Sequence, residues 1–278
     1  MTVSELLNNG TSILKEKNIE NCENEARWIF ESVFGGREVL LFDPHRQADE
    51  SKADLFLGKI KERAEGMPVQ YVIGEWDFYG ESFNVGKGVL IPRPETEMLV
   101  DYALEYLKDK KSPVVYDLCA GTGCIGLTLA RLVPDSKVYL LEKSSEAFRY
   151  LESNRERHSC DNAELIFGDL FDGYKVFDIP QPDLILSNPP YIESGIIPTL
   201  QSEVQLEPSM ALDGGKDGLD FYRAISEKWL PYCKGAIAVE CGEGQTAEIK
   251  KLFKEFCTDI SEQADFNGIG RIVCGRKG

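Results

Sequence analysis

Apolar residues recur with helical spacing through the first part of the chain. Ala26, Ile29, Phe30 and Val33 fall at i, i+3, i+4 and i+7, the spacing of one buried helix face. Ala53, Leu57, Ile60 and Ala64 continue that periodicity further on, and Gly66 and Pro68 close the segment. No catalytic grouping accompanies these faces, so the segment reads as a helical packing module, of a kind that often holds a partner. The pattern then changes. Tyr71-Val72-Ile73 and residues 76–83 are rich in aromatic and β-branched side chains, broken by Gly74, Gly80, Gly86 and Gly88. That composition suggests a hairpin acting as a linker.

Beyond Pro113, apolar runs alternate with amphipathic stretches. Strands are expected at 114–119, 137–142, 163–167, 183–187 and 236–240. Helices are expected from about 123, over 144–158, and along the face formed by Ile249, Leu252, Phe253 and Phe256. A final strand fits 271–276, after the turn Asn267-Gly268-Ile269-Gly270. Near-continuous apolar strands separated by helices imply an α/β fold with a parallel sheet covered on both faces. The expected organisation is a helical domain over 1–70, a β-hairpin linker over 71–92 and an α/β domain over 93–278.

Composition narrows the function classes. A chain of 278 residues exceeds the usual size of one domain, which agrees with a small domain joined to a large one. No apolar stretch reaches the length of a membrane span. The opening Met1-Thr2-Val3-Ser4-Glu5 lacks the basic start and apolar run of a secretion signal, so a cytoplasmic location and no membrane partner are expected. The eight cysteines form no Cys-x-x-Cys pair, and His45 and His158 have no partner at metal-ligand spacing. Reduced thiols and no metal are the expectation. A net charge of −16 argues against a surface for the phosphate backbone of a nucleic acid, so no direct nucleic-acid binding is expected. Nothing calls for more than a monomer.

The first strand of the alternating region ends in Asp117-Leu118-Cys119-Ala120-Gly121-Thr122-Gly123. Glycines where a strand turns into a helix let the backbone approach a ligand closely, and the helix start offers unpaired N–H groups. Asp117 could anchor the loop and reach an amino group. Glu142 ends the second strand, where it could accept from ribose hydroxyls, and Asp169 and Leu170 follow the third, where they could hold an adenine. Gly121, Gly123 and Gly126, with Glu142 about twenty residues on, also match a dinucleotide fingerprint, so an oxidoreductase is a rival.

The fourth strand runs into Asn188-Pro189-Pro190-Tyr191. Two prolines fix the backbone and remove two N–H donors. The Asn188 amide oxygen and the Pro189 carbonyl then form a pair of acceptors suited to a planar –NH2 group, on which Tyr191 can stack. An amide nitrogen is a poor nucleophile, because its lone pair is delocalised. Two acceptors holding both N–H groups would orient that lone pair toward a sulfonium methyl, and catalysis would rest on positioning and electrostatics. No base is needed before attack.

These residues resemble the protein-(glutamine-N5) methyltransferases that modify class I peptide chain release factors, the HemK/PrmC family. The resemblance runs through Pro68-Val69-Gln70-Tyr71-Val72-Ile73-Gly74, Leu90-Ile91-Pro92-Arg93-Pro94-Glu95-Thr96-Glu97, the Asp117 loop, Asn188-Pro189-Pro190-Tyr191-Ile192, Glu207-Pro208 and Ala211-Leu212. It implies a Rossmann-like class I S-adenosylmethionine-dependent methyltransferase domain with a seven-stranded sheet, and a helical substrate-binding domain before it. It implies S-adenosylmethionine as cofactor, S-adenosylhomocysteine as product, and the glutamine of a release factor Gly-Gly-Gln motif as acceptor. Cofactor contacts are implied for the backbone from Cys119 through Ala120, Gly121 and Thr122 to Gly123 and for Glu142, with Leu170 over the adenine. Asn188, Pro189 and Tyr191 would hold the glutamine amide, beside Pro190. Relatives often carry glycine where this chain has Cys119. Residues 92–97 would brace the Asn188 loop or line the pocket, with bracing preferred; Arg93 and Glu97 could equally form a surface ion pair. A methyltransferase of adenine N6 or cytosine N4 in DNA or RNA would need the same chemistry, and is disfavoured by the acidic charge. A noncatalytic binding module is disfavoured by the intact tetrapeptide.

Overall fold

The computed structural model describes residues 1–36 and 38–278, which cluster into two compact units. The first comprises Met1–Trp76 together with Gln201–Leu206, the second Asp77–Leu200 with Glu207–Gly278.

The first unit is helical: α1 (Val3–Glu16), α2 (Cys22–Phe34), α3 (Glu38–Phe42), α4 (Glu50–Ala64) and α5 (Val69–Ile73). Local chemistry sets its boundaries. Thr2 and Glu5 form a reciprocal capping box at the start of α1, and Asp49 accepts from the Lys52 N–H at the start of α4. The face expected from periodicity is buried in α2, where Ala26, Ile29 and Phe30 meet Leu6, Leu14, Phe56 and Ile60. Among them lies a buried ion pair, Arg63 with Glu25, and the outer nitrogen of Arg63 reaches Glu203, 2.7 Å away, from the 201–206 segment. Residues 71–73, expected to begin the hairpin, instead belong to α5. Pro68 starts that turn, Gly74 at φ +94 ends it, and Val69 and Val72 bury one side. A three-residue apolar run cannot distinguish a strand from one helical turn, and burial decided for the turn.

The hairpin itself is short, β1 (Glu75–Phe78) against β2 (Glu81–Asn84). The second unit continues with α6 (Glu97–Leu107), β3 (Val114–Leu118), α7 (Cys124–Leu132), β4 (Lys137–Glu142), α8 (Ser145–Arg157), β5 (Ala163–Phe167), β6 (Leu184–Ser187), α9 (Asp220–Lys228), β7 (Ala236–Glu240), α10 (Thr246–Phe253), β8 (Asp259–Ala264) and β9 (Gly270–Arg276). Its seven strands lie in the order β5-β4-β3-β6-β7-β9-β8. The strands from β5 to β7 are parallel, whereas β9 and β8 run antiparallel at one edge, so the sheet is mixed rather than wholly parallel. Alternation along β4 shows how the sheet is covered. Val138 and Leu140 pack with Leu127 and Leu151 on one face, while Tyr139 and Leu141 pack with Tyr222, Ile225 and Trp229 on the other. Each such side chain stabilises the fold by roughly 2 kcal/mol through burial.

Strand order reverses between β3 and β6, with Leu118 beside both Leu141 and Ser187. The Ser187 hydroxyl donates to the Leu118 carbonyl at 2.6 Å, fastening the two strand ends together. Open α/β sheets bind their ligands beyond the strand ends at such a reversal. All eight cysteines are free thiols, six of them buried. Among the described residues, no helix is long and apolar enough to cross a membrane.

Removing one partner of a buried ion pair leaves the other uncompensated, at a cost of about 3–5 kcal/mol. Glu25→Ala should fall at the low end of that range, because Glu203 still pairs with Arg63. Urea unfolding of the purified variant checks this; a loss below about 1 kcal/mol would show that the pair holds nothing together.

Candidate active site

The loop leaving β3 turns twice through left-handed backbone, at Cys119 (φ 64) and Gly121 (φ 57), and Gly123 (φ 80) then starts α7. Cys119 explains why a glycine suits its position: an L residue in that conformation carries roughly 1–2 kcal/mol of strain. At Gly123 a Cβ would meet Leu151 at 2.4 Å, so only glycine lets α7 start this close to α8. Gly126, inside α7, brings its N–H to Asp117 Oδ2 at 2.9 Å. Asp117 is wholly buried, and its Oδ1 has no hydrogen-bond partner among the described residues. Burial pushes this carboxyl up to about 7, against the pull of the Gly126 N–H and with a further push from Glu142.

Glu142 closes β4 and receives the Gly121 N–H at 2.8 Å and the Ser144 N–H at 2.6 Å. Each oxygen keeps a second lone pair for a ligand hydroxyl. Burial raises its proton affinity and the backbone N–H groups oppose that. Past β5, Asp169 receives the Phe171 N–H at 3.0 Å and pairs with Lys143 at 2.7 Å. Burial works to raise the Asp169 carboxyl, but the Lys143 ammonium and the Phe171 N–H hold it below the usual aspartate range. Leu170 is fixed by the Trp229 indole, which donates to its carbonyl at 2.8 Å.

These residues border one cleft, whose exposed lining is largely apolar. Of the residues expected from sequence, Cys119, Ala120, Gly121, Thr122, Glu142, Asp169, Leu170, Asn188 and Pro190 form its wall. Asp117, Gly123, Pro189 and Tyr191 do not. Asp117 and Gly123 act from beneath, by holding the start of α7. The wall also includes residues that sequence reasoning passed over, among them Val89, Lys143, Phe171, Met210 and Phe221. Phe171 and Phe221 meet edge to face at 4.9 Å. They come from separate loops, and no spacing announced them.

Asn188 stands at the end of β6, across the strand reversal from Cys119. Its Nδ2 donates to Thr96 Oγ1 at 3.0 Å, and Thr96 donates to Glu240 Oε2 at 2.5 Å. Asn188 Oδ1 has no protein donor among the described residues. The Tyr191 hydroxyl approaches Glu240 Oε1 at 3.4 Å, and the Tyr191 carbonyl receives Gln245 Nε2 at 2.9 Å. Burial pushes Glu240 up to about 7, opposed by Thr96. Bracing and wall-lining prove compatible for the 92–97 segment: Pro92 and Thr96 touch the cleft while Thr96 holds Asn188. The Arg93–Glu97 ion pair, the alternative to bracing, is not formed among the described residues. Arg93 pairs with Glu207, which also receives the Ile91 N–H at 3.0 Å, and Glu97 receives the Tyr79 N–H at 2.7 Å.

The cleft therefore joins three features: a glycine loop with a carboxylate at the next strand end, an apolar wall with two phenylalanines, and an amide whose oxygen is left free. Comparison with known proteins bears on what they serve. Family models described as "PrmC N-terminal domain" and "Methyltransferase small domain" match residues 5–74 and 96–203. A protein of Geobacter sulfurreducens named release factor glutamine methyltransferase is 38% identical, over 100% of this chain and 97% of its own length. One of Clostridium acetobutylicum with the same name is 33% identical, over 100% and 99%. Among solved structures, the hMettl16 catalytic domain in complex with MAT2A 3'UTR hairpin 6 superposes with a TM-score of 0.58 at 15% identity, covering 82% of each chain, which is a likeness of fold alone.

The buried Asp117 carries a pH signature. Unfolded, an aspartate ionises near 3.8; folded, this one keeps its proton to about 7, so its contribution to stability falls as pH rises through that window. Asp117→Asn should remove that fall while Glu240 keeps its own. Urea midpoints at pH 5 and pH 8 should show the parent losing on the order of 2 kcal/mol more than the variant. Equal losses would contradict the assigned burial of charge.

Proposed function

The chain belongs to the release factor glutamine methyltransferase family, and on that premise we propose how its cleft carries the reaction. It is an S-adenosylmethionine-dependent methyltransferase whose acceptor is a side-chain amide of a peptide chain release factor. The acceptor nitrogen is the N5 of the glutamine in a Gly-Gly-Gln motif. S-adenosylmethionine, when bound, supplies an electrophilic methyl group on a sulfonium.

The residues present suit that cofactor. Glu142 has lone pairs left for ribose hydroxyls, and Leu170 and Phe171 offer an apolar wall for adenine. Asp117, wholly buried and off the cleft wall, serves the cofactor from beneath, by fixing the start of α7 through the Gly126 N–H. The loop from Cys119 to Gly123 brings backbone rather than side chains to the ligand. Asn188 Oδ1 and the Pro189 carbonyl hold the two N–H groups of the acceptor amide, beside Pro190 and Tyr191. They turn its lone pair toward the methyl and ease its pyramidalisation. The proton becomes acidic only after transfer, so no base is needed at the start, and neither His45 nor His158 lies on the cleft wall.

Residues 1–70 serve as a substrate-binding domain, 71–92 as its linker and 93–278 as the catalytic domain. Exposed Trp28, Leu41, Phe42 and Leu55 on the first unit support docking of a protein. Action on protein rather than nucleic acid agrees with the charge of −16, and the reading is completed by a monomer working without metal in the cytoplasm.

The observation that carries this reading is Asn188 on the wall of the same cleft as Glu142, its Nδ2 held by Thr96 and its Oδ1 given no donor among the described residues. Incubation with methyl-labelled S-adenosylmethionine and a release factor should label the wild-type factor and not one whose Gly-Gly-Gln glutamine is replaced. Label on neither would send the search to other acceptors. Asn188→Ala should lower kcat by about 10²–10³-fold, as loss of one oriented hydrogen-bonding group does, while S-adenosylhomocysteine still binds. Unchanged turnover would remove Asn188 from the mechanism.

A further inference from the structure

The oxygen and nitrogen of an asparagine amide differ little in size, so packing alone barely distinguishes the two orientations of Asn188. Chemistry distinguishes them completely: one offers an acceptor to a substrate –NH2 group, and the other offers a second donor. Three groups in series decide. Thr96 lies between Glu240 and Asn188, at 2.5 Å from Glu240 Oε2 and 3.0 Å from Asn188 Nδ2. Thr96 and Glu240 are each 2% exposed, so water does not substitute for either. Above about pH 7, where Glu240 is ionised, the carboxylate only accepts. It draws the single hydroxyl proton of Thr96 toward itself, which leaves the hydroxyl lone pairs for Asn188. Those lone pairs suit Nδ2 and repel Oδ1. The Tyr191 hydroxyl, donating to Glu240 Oε1, keeps the second carboxylate oxygen an acceptor as well.

We propose that Glu240 is a positioning residue for methyl transfer: acting through the Thr96 hydroxyl, it locks the Asn188 amide with Oδ1 toward the acceptor nitrogen. The proposal rests on reading the cleft as an amide-methylating site. Glu240 is not on the cleft wall, so it does not itself touch a ligand there. It sets the direction of a hydrogen-bond chain whose far end does. A glutamine at this position could donate its own –NH2 to Thr96, reverse the chain and turn the Asn188 amide over. A valine in place of Thr96 keeps the shape and deletes the relay.

The test uses the full chain with Glu240→Gln, Thr96→Val and Thr96→Ser. Methylation of a release factor gives kcat and KM separately, and calorimetry gives the affinity for S-adenosylhomocysteine. The side-chain amide signal of Asn188, assigned by its loss in Asn188→Asp, is followed by nitrogen-15 NMR. Glu240→Gln and Thr96→Val should each lower kcat by about 10²-fold, with KM and S-adenosylhomocysteine affinity within about threefold of the parent. Thr96→Ser, which keeps the hydroxyl, should recover most of that loss. The Asn188 signal should shift in the first two variants and stay in place in the third. A merely structural defect would weaken S-adenosylhomocysteine binding together with turnover. An Asn188 signal indifferent to both substitutions in a parent active on the release factor overturns the relay and leaves the proposed function standing. A signal that responds as expected in a parent inactive on the release factor supports the relay and overturns the acceptor instead.

Discussion

The parallel pairing of β3 with β6 is the contact on which the chemistry of this molecule rests. The chain reaches β6 only after passing through β4 and β5, yet Leu118 and Ser187 end side by side, tied by the serine hydroxyl. Two loops of unrelated sequence therefore start from adjacent points. One turns into α7 and offers backbone N–H groups; the other stiffens into prolines and offers acceptors. Strand register is quantised, because a slip by one residue moves every side chain to the opposite face. A slip here would turn Asn188 away from the cleft and Ser187 into it, so the apolar contacts that fix β6 also fix the reacting geometry.

Around that reversal the protein gathers carboxylates from three strand ends: Asp117, Glu142 and Glu240 are all buried. In a chain already at −16, this arrangement disfavours the folded state with all three ionised, since burial raises the proton affinity of each. Their partners are uneven. Glu142 is met by backbone N–H groups on both oxygens and Glu240 by two hydroxyls, whereas one oxygen of Asp117 meets nothing among the described residues.

Legibility of the fold in the sequence followed burial. Periodicity marked α2, β3, β4, β6 and β7 because each packs a continuous apolar face, and it missed β8 because that edge strand keeps only Ile260 and Gln263 partly covered. Residues 71–73 misled because a single turn leaves no period to read. At the site, the Asn188 tetrapeptide and the glycine loop were visible as local strings. Glu240 read only as the end of a strand, although a carboxylate closing a wholly apolar run was a signal available to be used. Partners such as Arg93 with Glu207, far apart in the chain, have no local trace, so the nearer Glu97 drew the expectation away from it.

The free thiols add a property unrelated to turnover. Cys124, Cys160, Cys233, Cys241, Cys257 and Cys274 are all buried within the second unit, on both sides of its sheet. Burial pushes Cys124, Cys241 and Cys274 up to about 12, so the nucleophilic thiolate is scarce at neutral pH. Alkylating reagents will thus reach these sulfurs only when the surrounding structure opens. Each cysteine is a native stopwatch for its own neighbourhood, and peptide mapping of alkylation against time would chart which parts of the sheet open together and which open alone.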